Sequence, residues 1–489
     1  MKDKILVPYA PILVESTRSI GYSFEAALAD IIDNSIGKGA REIQVNFRSV
    51  GVPYIAVIDD ACGMDEVELE TAMRYGSKSS LDIRDENDLG RFGLGLKMAS
   101  LSQCRKFTVV TKKDGKICAA KWDLDYIIEK GDWTLLQFAD AELDSLYFIE
   151  NLQKQDSGTI VIWEDFDRLA KGSANLQMVL DEKIEIARSH IALVFHRFLG
   201  DENFSKRVKI FFNNSKVEPL DPFLMNNAAT QPLIEQTIKI DNSEIKVKPY
   251  ILPYISKLSA KDKKQIGDIN DLRQNQGFYV YRNRRLIIWG TWFRLIKRYE
   301  LNKLARVRVD IPNTLDSIWE IDIKKSTASL PDLIKRNLVA IVENAVGRSE
   351  RVYKYRGRSI KSDELQHVWN TVDNRGNFQY LINRDLPLFK LLEESLGEDK
   401  LEYLDSFIKT IEDAFPYGDV YYRLAKNESN IHAASLSFDE VCKVAVNMIE
   451  TIKAAGGDVR TFIESMDKID FFTKYPDAVK AIREEYIDD

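Results

Sequence analysis

The chain has 489 residues, 45% hydrophobic and 30% charged, which fits about three domains of ~150 residues and excludes a disordered or fibrous protein. Its net charge of −7 excludes a uniformly basic nucleic-acid-binding surface, so contact with DNA would need a local patch. Four scattered cysteines without CxxC spacing and four histidines argue against a disulfide scaffold or a zinc site and favour a reducing, cytoplasmic setting; no apolar run nears the ~18 residues of a membrane span.

In chain order, residues 2–14 carry two lysines and an apolar stretch, interrupted by Pro8 and Pro11 and followed by no small-residue cleavage site. They read as a short extended arm and not as a signal peptide. Residues 24–36 place Leu28, Ile31, Ile32 and Ile36 at helical spacing, with Ser23 as a cap and Gly37 and Gly39 as terminators. Ile43, Val45 and Phe47 alternate as a strand, and residues 54–58 form a more apolar one. Asp65-x-x-Glu68 has the pattern of a capping box opening a helix to about Tyr75. A polar loop over 76–88 leads through Gly90 and Gly95 into a second apolar helix. Residues 106–112, 117–122, 133–138 and 159–163 read as strands, the first two joined by Asp114-Gly115. The first ~170 residues are thus an α+β sandwich.

A helical stretch over 176–199 follows. Strands are expected at 208–212, around Ile238 and Ile245, and at 278–281, 286–289, 306–311 and 319–323, then a helix over 331–346. Beyond Gly347 the periodicity is helical. The division is therefore 1–170, 171–346 and 347–489, the last an all-α module.

Three sites in the first region point to one chemistry. Asp30-x-x-x-Asn34 places a carboxylate and a carboxamide a turn apart on one helix face, suited to holding a water and a hydrated Mg²⁺ over phosphates. Asp59-Asp60-Ala61-Cys62-Gly63 ends an apolar strand. A buried carboxylate there can accept from an exocyclic amine, and the glycine permits close approach to a base. Gly90-Arg91-Phe92-Gly93-Leu94-Gly95-Leu96-Lys97 is a glycine-rich turn opening a helix, whose free N–H groups and dipole favour phosphate. It follows a loop and not a strand, so it is not the dinucleotide fingerprint.

The order of these segments resembles the GHKL ATPase module with its Bergerat nucleotide-binding fold, shared by gyrase B subunits, the ninety-kilodalton heat-shock chaperone, sensor histidine kinases and MutL. "ADIIDNSIGKGA" matches the N-box, "VIDDACGM" and "GRFGLGLK" the glycine boxes, and "SGTIVIW" the threonine strand. The resemblance implies ATP and Mg²⁺ as ligands. Asn34 would hold Mg²⁺, Asp59 would read the adenine amine, Gly63 and Met64 would line the base, and Thr159 would support Asp59 through water. Lys78 would belong to a lid over 76–89. Gly90, Gly93, Gly95 and Lys97 would cradle the phosphates, and Arg91, Phe92, Leu94 and Leu96 between them would also belong to the nucleotide-binding segment. Asp30 stands where the family's general base is usually Glu. A carboxylate retracted by ~1.5 Å, one C–C bond, predicts slow turnover, since ~1 Å of misplacement can cost ~10²-fold. Ala61 replaces the first glycine of the family's D-x-G-x-G.

"NQGFYVYRNRRLI" and "WEIDIKKSTASLP" resemble the ribosomal-S5-like transducer domain of the gyrase, MutL and MORC branch. There Lys325, with Lys324 as the alternative, would reach the γ-phosphate. "IIDNS", "YGSKS" and "GRFGLGLKMAS" look closest to prokaryotic MORC- and MutL-like ATPases, which often accompany restriction–modification or anti-phage systems. The implied assembly is an ATP-dependent homodimeric clamp on double-stranded DNA, with a nuclease or other defence protein as partner and no membrane. "RSERVYKYRGRSIK" at 348–361 has six basic residues with interleaved tyrosines, suited to phosphates and base stacking. Arg282, Arg284 and Arg285 form a shorter basic cluster. The alternatives are a heat-shock-type remodelling chaperone, for which no large middle domain is evident, and a nucleotide-locked, non-hydrolysing scaffold. A histidine kinase lacks a phospho-acceptor helix upstream of the N-box, and no nuclease motif is present.

Overall fold

The computed structural model describes residues 8–315 apart from 20, 76–94, 172–174, 202–205, 241–242, 255–256, 268 and 300–301; 334–347 apart from 336, 340 and 344; and 366–486 apart from 375–376, 387–388, 391, 394–395, 418, 421–435 and 455. The chain divides into two units, Met1–Lys354 and Tyr355–Asp489.

The expected extended arm is in part a helix, α1 (Ala10–Arg18), with proline in its first turn. A proline there removes an N–H that has no intrahelical acceptor, so it starts the helix and does not break it. Ala10, Val14 and Arg18 are buried, and Arg18 Nε donates to the Leu101 carbonyl while its guanidinium pairs with Asp167.

Helix α2 (Phe24–Gly37) is capped by Ser23, whose side chain accepts from the Ala26 N–H. Strands β1 (Glu42–Arg48) and β2 (Tyr54–Asp59) follow. Helix α3 (Glu66–Met73) starts with the Asp65/Glu68 capping box, and α4 (Gly95–Gln103) is almost entirely buried. Strands β3 (Lys106–Lys113), β4 (Lys116–Asp123), β5 (Leu136–Gln137) and β6 (Gly158–Glu164) complete the expected set. The strand expected over 133–138 shrinks to β5 because Trp133 packs against Tyr75 and Trp122.

Helices α5 (Leu176–Val194) and α6 (His196–Leu199) lead to β7 (Lys209–Phe212) and β8 (Ser215–Lys216). On α5, Leu180, Ile184, Ala187, Ile191 and Val194 are buried at alternating spacings of four and three. Strand β7, expected in the second region, pairs parallel with β1 and joins the first sheet, whose order is β5-β4-β3-β6-β2-β1-β7-β8. The first sheet therefore runs past residue 170. One face packs on α1, α2, α4 and α5 through a core containing Leu28, Ile31, Ile32, Val57, Phe107, Trp163 and Ile184. The other carries Ile58, Val110 and Ile160 against Ile149 and Leu152 of a short helix.

The second sheet comprises β9 (Gln231–Pro232), β10 (Gln236–Ile240), β11 (Ser243–Ile251), β12 (Gly277–Arg282), β13 (Arg285–Thr291) and β14 (Ala305–Ile311), in the order β10-β11-β14-β12-β13 with β9 paired to β11. Its strands are antiparallel except for β12 beside β14, which are parallel. Ile245, Val247, Val280 and Val307 meet Ile334, Leu338 and Val342 of the expected helix, whose described residues over 334–347 are helical. Tyr250, Tyr279 and Tyr281 instead join the first core beside Phe195 and Phe223. The strand expected at 319–323 lies outside the described residues.

The second unit is not all-α. An antiparallel hairpin, β15 (Trp369–Asn374) and β16 (Asn377–Ile382), precedes helices α7 (Glu398–Asp413), α8 (Phe438–Ala454), α9 (Val459–Ser465) and α10 (Pro476–Tyr486). Trp369 and Tyr380 pack on Phe415, which gives the hairpin a small aromatic core of its own. Val441, Ile449, Ile463, Phe472 and Ile482 form the helical core.

Candidate nucleotide site

Register places Asp59, the last residue of β2, between Ile43 of β1 and Thr159 of β6. Its carboxylate is 6% exposed. Oδ1 accepts from the Ala61 and Thr159 N–H groups, each at 3.0 Å, and Oδ2 accepts from the Ser35 hydroxyl at 2.6 Å. Three of about four lone-pair positions are thereby used, leaving capacity for one further donor such as an exocyclic amine. Burial raises the carboxyl above its ordinary value, opposed by the Ser35, Ala61 and Thr159 hydrogen bonds.

Backbone closeness makes two glycines obligatory here. Gly63 has φ +65°, and a Cβ on it would lie 1.9 Å from the Lys112 carbonyl oxygen. A Cβ on Gly158 would lie 2.3 Å from the Asp59 carbonyl oxygen. Between them Thr111 acts as a junction: its hydroxyl accepts from the Met64 N–H at 2.8 Å, donates to the Gly158 carbonyl at 3.1 Å and lies 3.3 Å from the Thr159 hydroxyl. Thr159 also reaches Asp59 directly through its own N–H. Half-buried Met64 packs on the first core, as does Leu96.

On α2, Asp30 is 4% exposed while Asn34, one turn on, is exposed at the rim. The Tyr22 hydroxyl donates to Asp30 Oδ2 at 3.0 Å. Helix α4 begins against the same carboxylate: a Cβ on Gly95 would lie 3.8 Å from Oδ2. Lys97, expected at the phosphates, is buried, and its Nζ donates to the Ala72 carbonyl at the end of α3 at 2.8 Å. Burial lowers its ammonium to about 8. Lys78, Gly90, Arg91, Phe92, Gly93, Leu94, Lys324 and Lys325 lie outside the described residues, as does the whole of the basic stretch at 348–361.

The short arginine cluster is not a solvent-facing basic patch. Arg282 and Arg285 are 3% and 4% exposed. Arg284 pairs with Asp201 at 2.6 Å, and Arg285 Nε lies 2.6 Å from Asp33 Oδ2. Arg285 thus faces Asp33 of α2 and Arg284 faces Asp201 and the Arg197 carbonyl of α6, placements that charge counting along the chain does not register.

Residues missed in the sequence are Tyr22, Asp33, Ser35 and Thr111, together with the pairing of Arg285 to Asp33. A serine beside Asn34 on an otherwise apolar helix face was the available sign for Ser35. A threonine inside the apolar run of β3 was the sign for Thr111.

The buried strand-end carboxylate, the glycine-imposed close approaches and the Asp/Asn helix together form the candidate nucleotide site. Residues 22–159 match the family model of the histidine kinase-, DNA gyrase B- and HSP90-like ATPases, so this part of the chain is a GHKL-type ATPase domain. Its similarity to individual proteins is distant. The chain is 25% identical over 205 residues to the DNA mismatch repair protein MutL of Thermoanaerobacter pseudethanolicus, covering 39% of this chain and 33% of that one. It is 30% identical over 95 residues to the ATPase morc-1 of Caenorhabditis elegans, covering 19% and 11%. The chain thus spans about a third of the length of the MutL relative. A solved structure described as the N-terminal domain of a DNA repair protein aligns over 70% of this chain and 98% of its own, with TM-score 0.43 and 13% identity. Among the described residues no helix is long and apolar enough to cross a membrane.

Proposed function

We propose that this protein binds Mg·ATP, hydrolyses it slowly and, with ATP bound, pairs two copies into a clamp on double-stranded DNA. The observation that carries the nucleotide reading is the Asp59 carboxylate, held by Ser35, Ala61 and Thr159 with one acceptor position to spare. The donor set fits Mg·ATP: a carboxylate for the adenine amine, an exposed carboxamide at Asn34 for the metal, and a helix start at Gly95 for phosphate. Bound Mg²⁺ would supply charge neutralisation at the phosphates. Asp30 would accept the proton of the attacking water, and Lys325 would reach the terminal phosphate from the second region, drawing the two sheets together while that phosphate is present.

The clamp and its DNA are supported by the similarity to proteins named for DNA mismatch repair and by the basic, tyrosine-bearing stretch at 348–361. A setting among restriction or anti-phage proteins, with a nuclease partner, rests on the sequence resemblance alone. A second reading, a nucleotide-locked scaffold, is favoured by the engagement of Asp30 Oδ2 by the Tyr22 hydroxyl. Calorimetry with ATP, ATPase rate against protein and duplex concentration, and light scattering with a non-hydrolysable analogue test the whole. Absence of ATP binding would remove the nucleotide reading. A monomer with ATP bound and a rate indifferent to DNA would remove the clamp, and binding without turnover would establish the scaffold.

A further inference from the structure

Arg285 belongs to the second sheet, yet its side chain serves the first region. The preceding turn residues, Asn283 and Arg284, have φ of 46° and 71°, the backbone of a tight two-residue hairpin whose twist suits the flanking strands. That turn delivers Arg285 to α2. Its Nε lies 2.6 Å from Asp33 Oδ2, and Nη2 lies 3.9 Å from Asp30 Oδ1. Nη1 donates to the Leu286 carbonyl at 3.1 Å, and the guanidinium carbon stands 5.6 Å from the centre of the Phe195 ring. Asp30 and Asp33 sit three positions apart on α2 and so share a face. All three side chains are buried.

Taking three charges out of water is costly, and well-packed apolar replacements of such groups are often neutral or stabilising. Stability alone therefore gives a weak reason for this trio. Geometry gives a better one. Arg285 is paired with Asp33, and its Nη2 stands 3.9 Å from Asp30 Oδ1, beyond hydrogen-bond range, while the Tyr22 hydroxyl holds Oδ2. It can orient that carboxylate electrostatically without consuming it as a proton acceptor.

We propose that Arg285, anchored by Asp33, is a positioning residue for the Asp30 carboxylate and makes ATP turnover, but not ATP binding, depend on how the second sheet is seated against α2. This rests on Asp30 as the hydrolytic base. The adenine end of the site, at Asp59, is built from other residues and is untouched by the arginine.

The test uses the full chain and the variants R285Q, R285K and D33N, with ATP affinity from calorimetry and turnover from single-turnover assays. R285Q is expected to lose about 10- to 100-fold in turnover with affinity held within about 3-fold. R285K keeps the charge without the planar fork and should recover part of that loss. D33N, which removes the anchor, should resemble R285Q, and the double variant should be no worse than R285Q alone. Wild-type turnover in R285Q, affinity falling in step with turnover, or R285K no better than R285Q would each overturn the proposal. Where R285Q does not fold, R285K decides: reduced turnover at unchanged affinity supports the role, and wild-type turnover overturns it. Wild-type protein that binds no ATP would defeat the nucleotide reading together with this inference. Wild-type protein that turns over ATP while R285Q matches it would defeat this inference alone.

Discussion

The Ser35 hydroxyl donates to Asp59 Oδ2 at 2.6 Å, tying the helix that carries Asp30 and Asn34 to the strand end that carries the carboxylate proposed to read adenine. One side chain thus fixes the spacing between the two ends of the site. Ser35→Ala is expected to lower stability by about 1.5–3 kcal/mol, the contribution of a hydrogen bond to a charged group, and to weaken ATP binding, because Asp59 Oδ2 loses the hydroxyl that orients it. Calorimetry checks it, and unchanged affinity would take Ser35 out of the site.

Asp30→Asn should bind ATP at close to wild-type affinity and show no turnover, since the carboxamide keeps the shape and loses the basicity. Asn34→Ala should lose Mg·ATP binding. Paired binding and rate measurements separate the two, and continued turnover in Asp30→Asn would assign the base elsewhere.

Gly63→Ala places a methyl against the Lys112 carbonyl oxygen at a left-handed φ. Strain of about 1–3 kcal/mol is expected from the backbone alone, with the clash in addition. The midpoint of thermal unfolding should fall by several degrees and ATP binding should weaken, both readable by scanning calorimetry with and without nucleotide.

Stability should decline in mild acid. His196 is buried, with Nδ1 2.7 Å from the Leu193 carbonyl and Nε2 3.4 Å from the Tyr281 hydroxyl. Burial holds it down to about 4 from 6.5, and His190 likewise, with Arg285 adding to the effect. The unfolded chain takes up these protons first, so this contribution is complete above about pH 6.5 and is lost as pH falls toward 4. Urea unfolding midpoints at pH 7.5 and pH 5 should differ, and His196→Gln should shrink the difference. Equal midpoints in the wild type would contradict it.

Local patterns made the scaffold of the candidate site legible. Asp59 and Gly63 stand at a strand end, Asp30 and Asn34 share a helix face, and capping residues such as Ser23 and Asp65 mark where helices start. Partners that meet only through tertiary packing stayed hidden. Ser35 finds Asp59 across 24 positions, Thr111 joins Met64 to Gly158, and Arg285 comes to Asp33 from a different sheet. Pro8 and Pro11 suggested an extended arm because a proline near a helix start looks, in sequence, like one that breaks it. The hairpin at Trp369 was masked by helical periodicity on both sides, and β7 was misplaced because a parallel partner 160 or more positions earlier leaves no local trace.

The parallel seating of β7 beside β1 bears on how this polypeptide matures. Ile210 and Phe212 complete a hydrophobic layer begun at Ile43 and Val45, so a nascent chain halted near residue 170 would present β1 as a naked border inviting foreign strands. The ribosome must release well over 200 residues before that border closes, and a recombinant fragment meant to capture nucleotide by itself should extend beyond Val217, whose N–H returns to the Ile210 carbonyl.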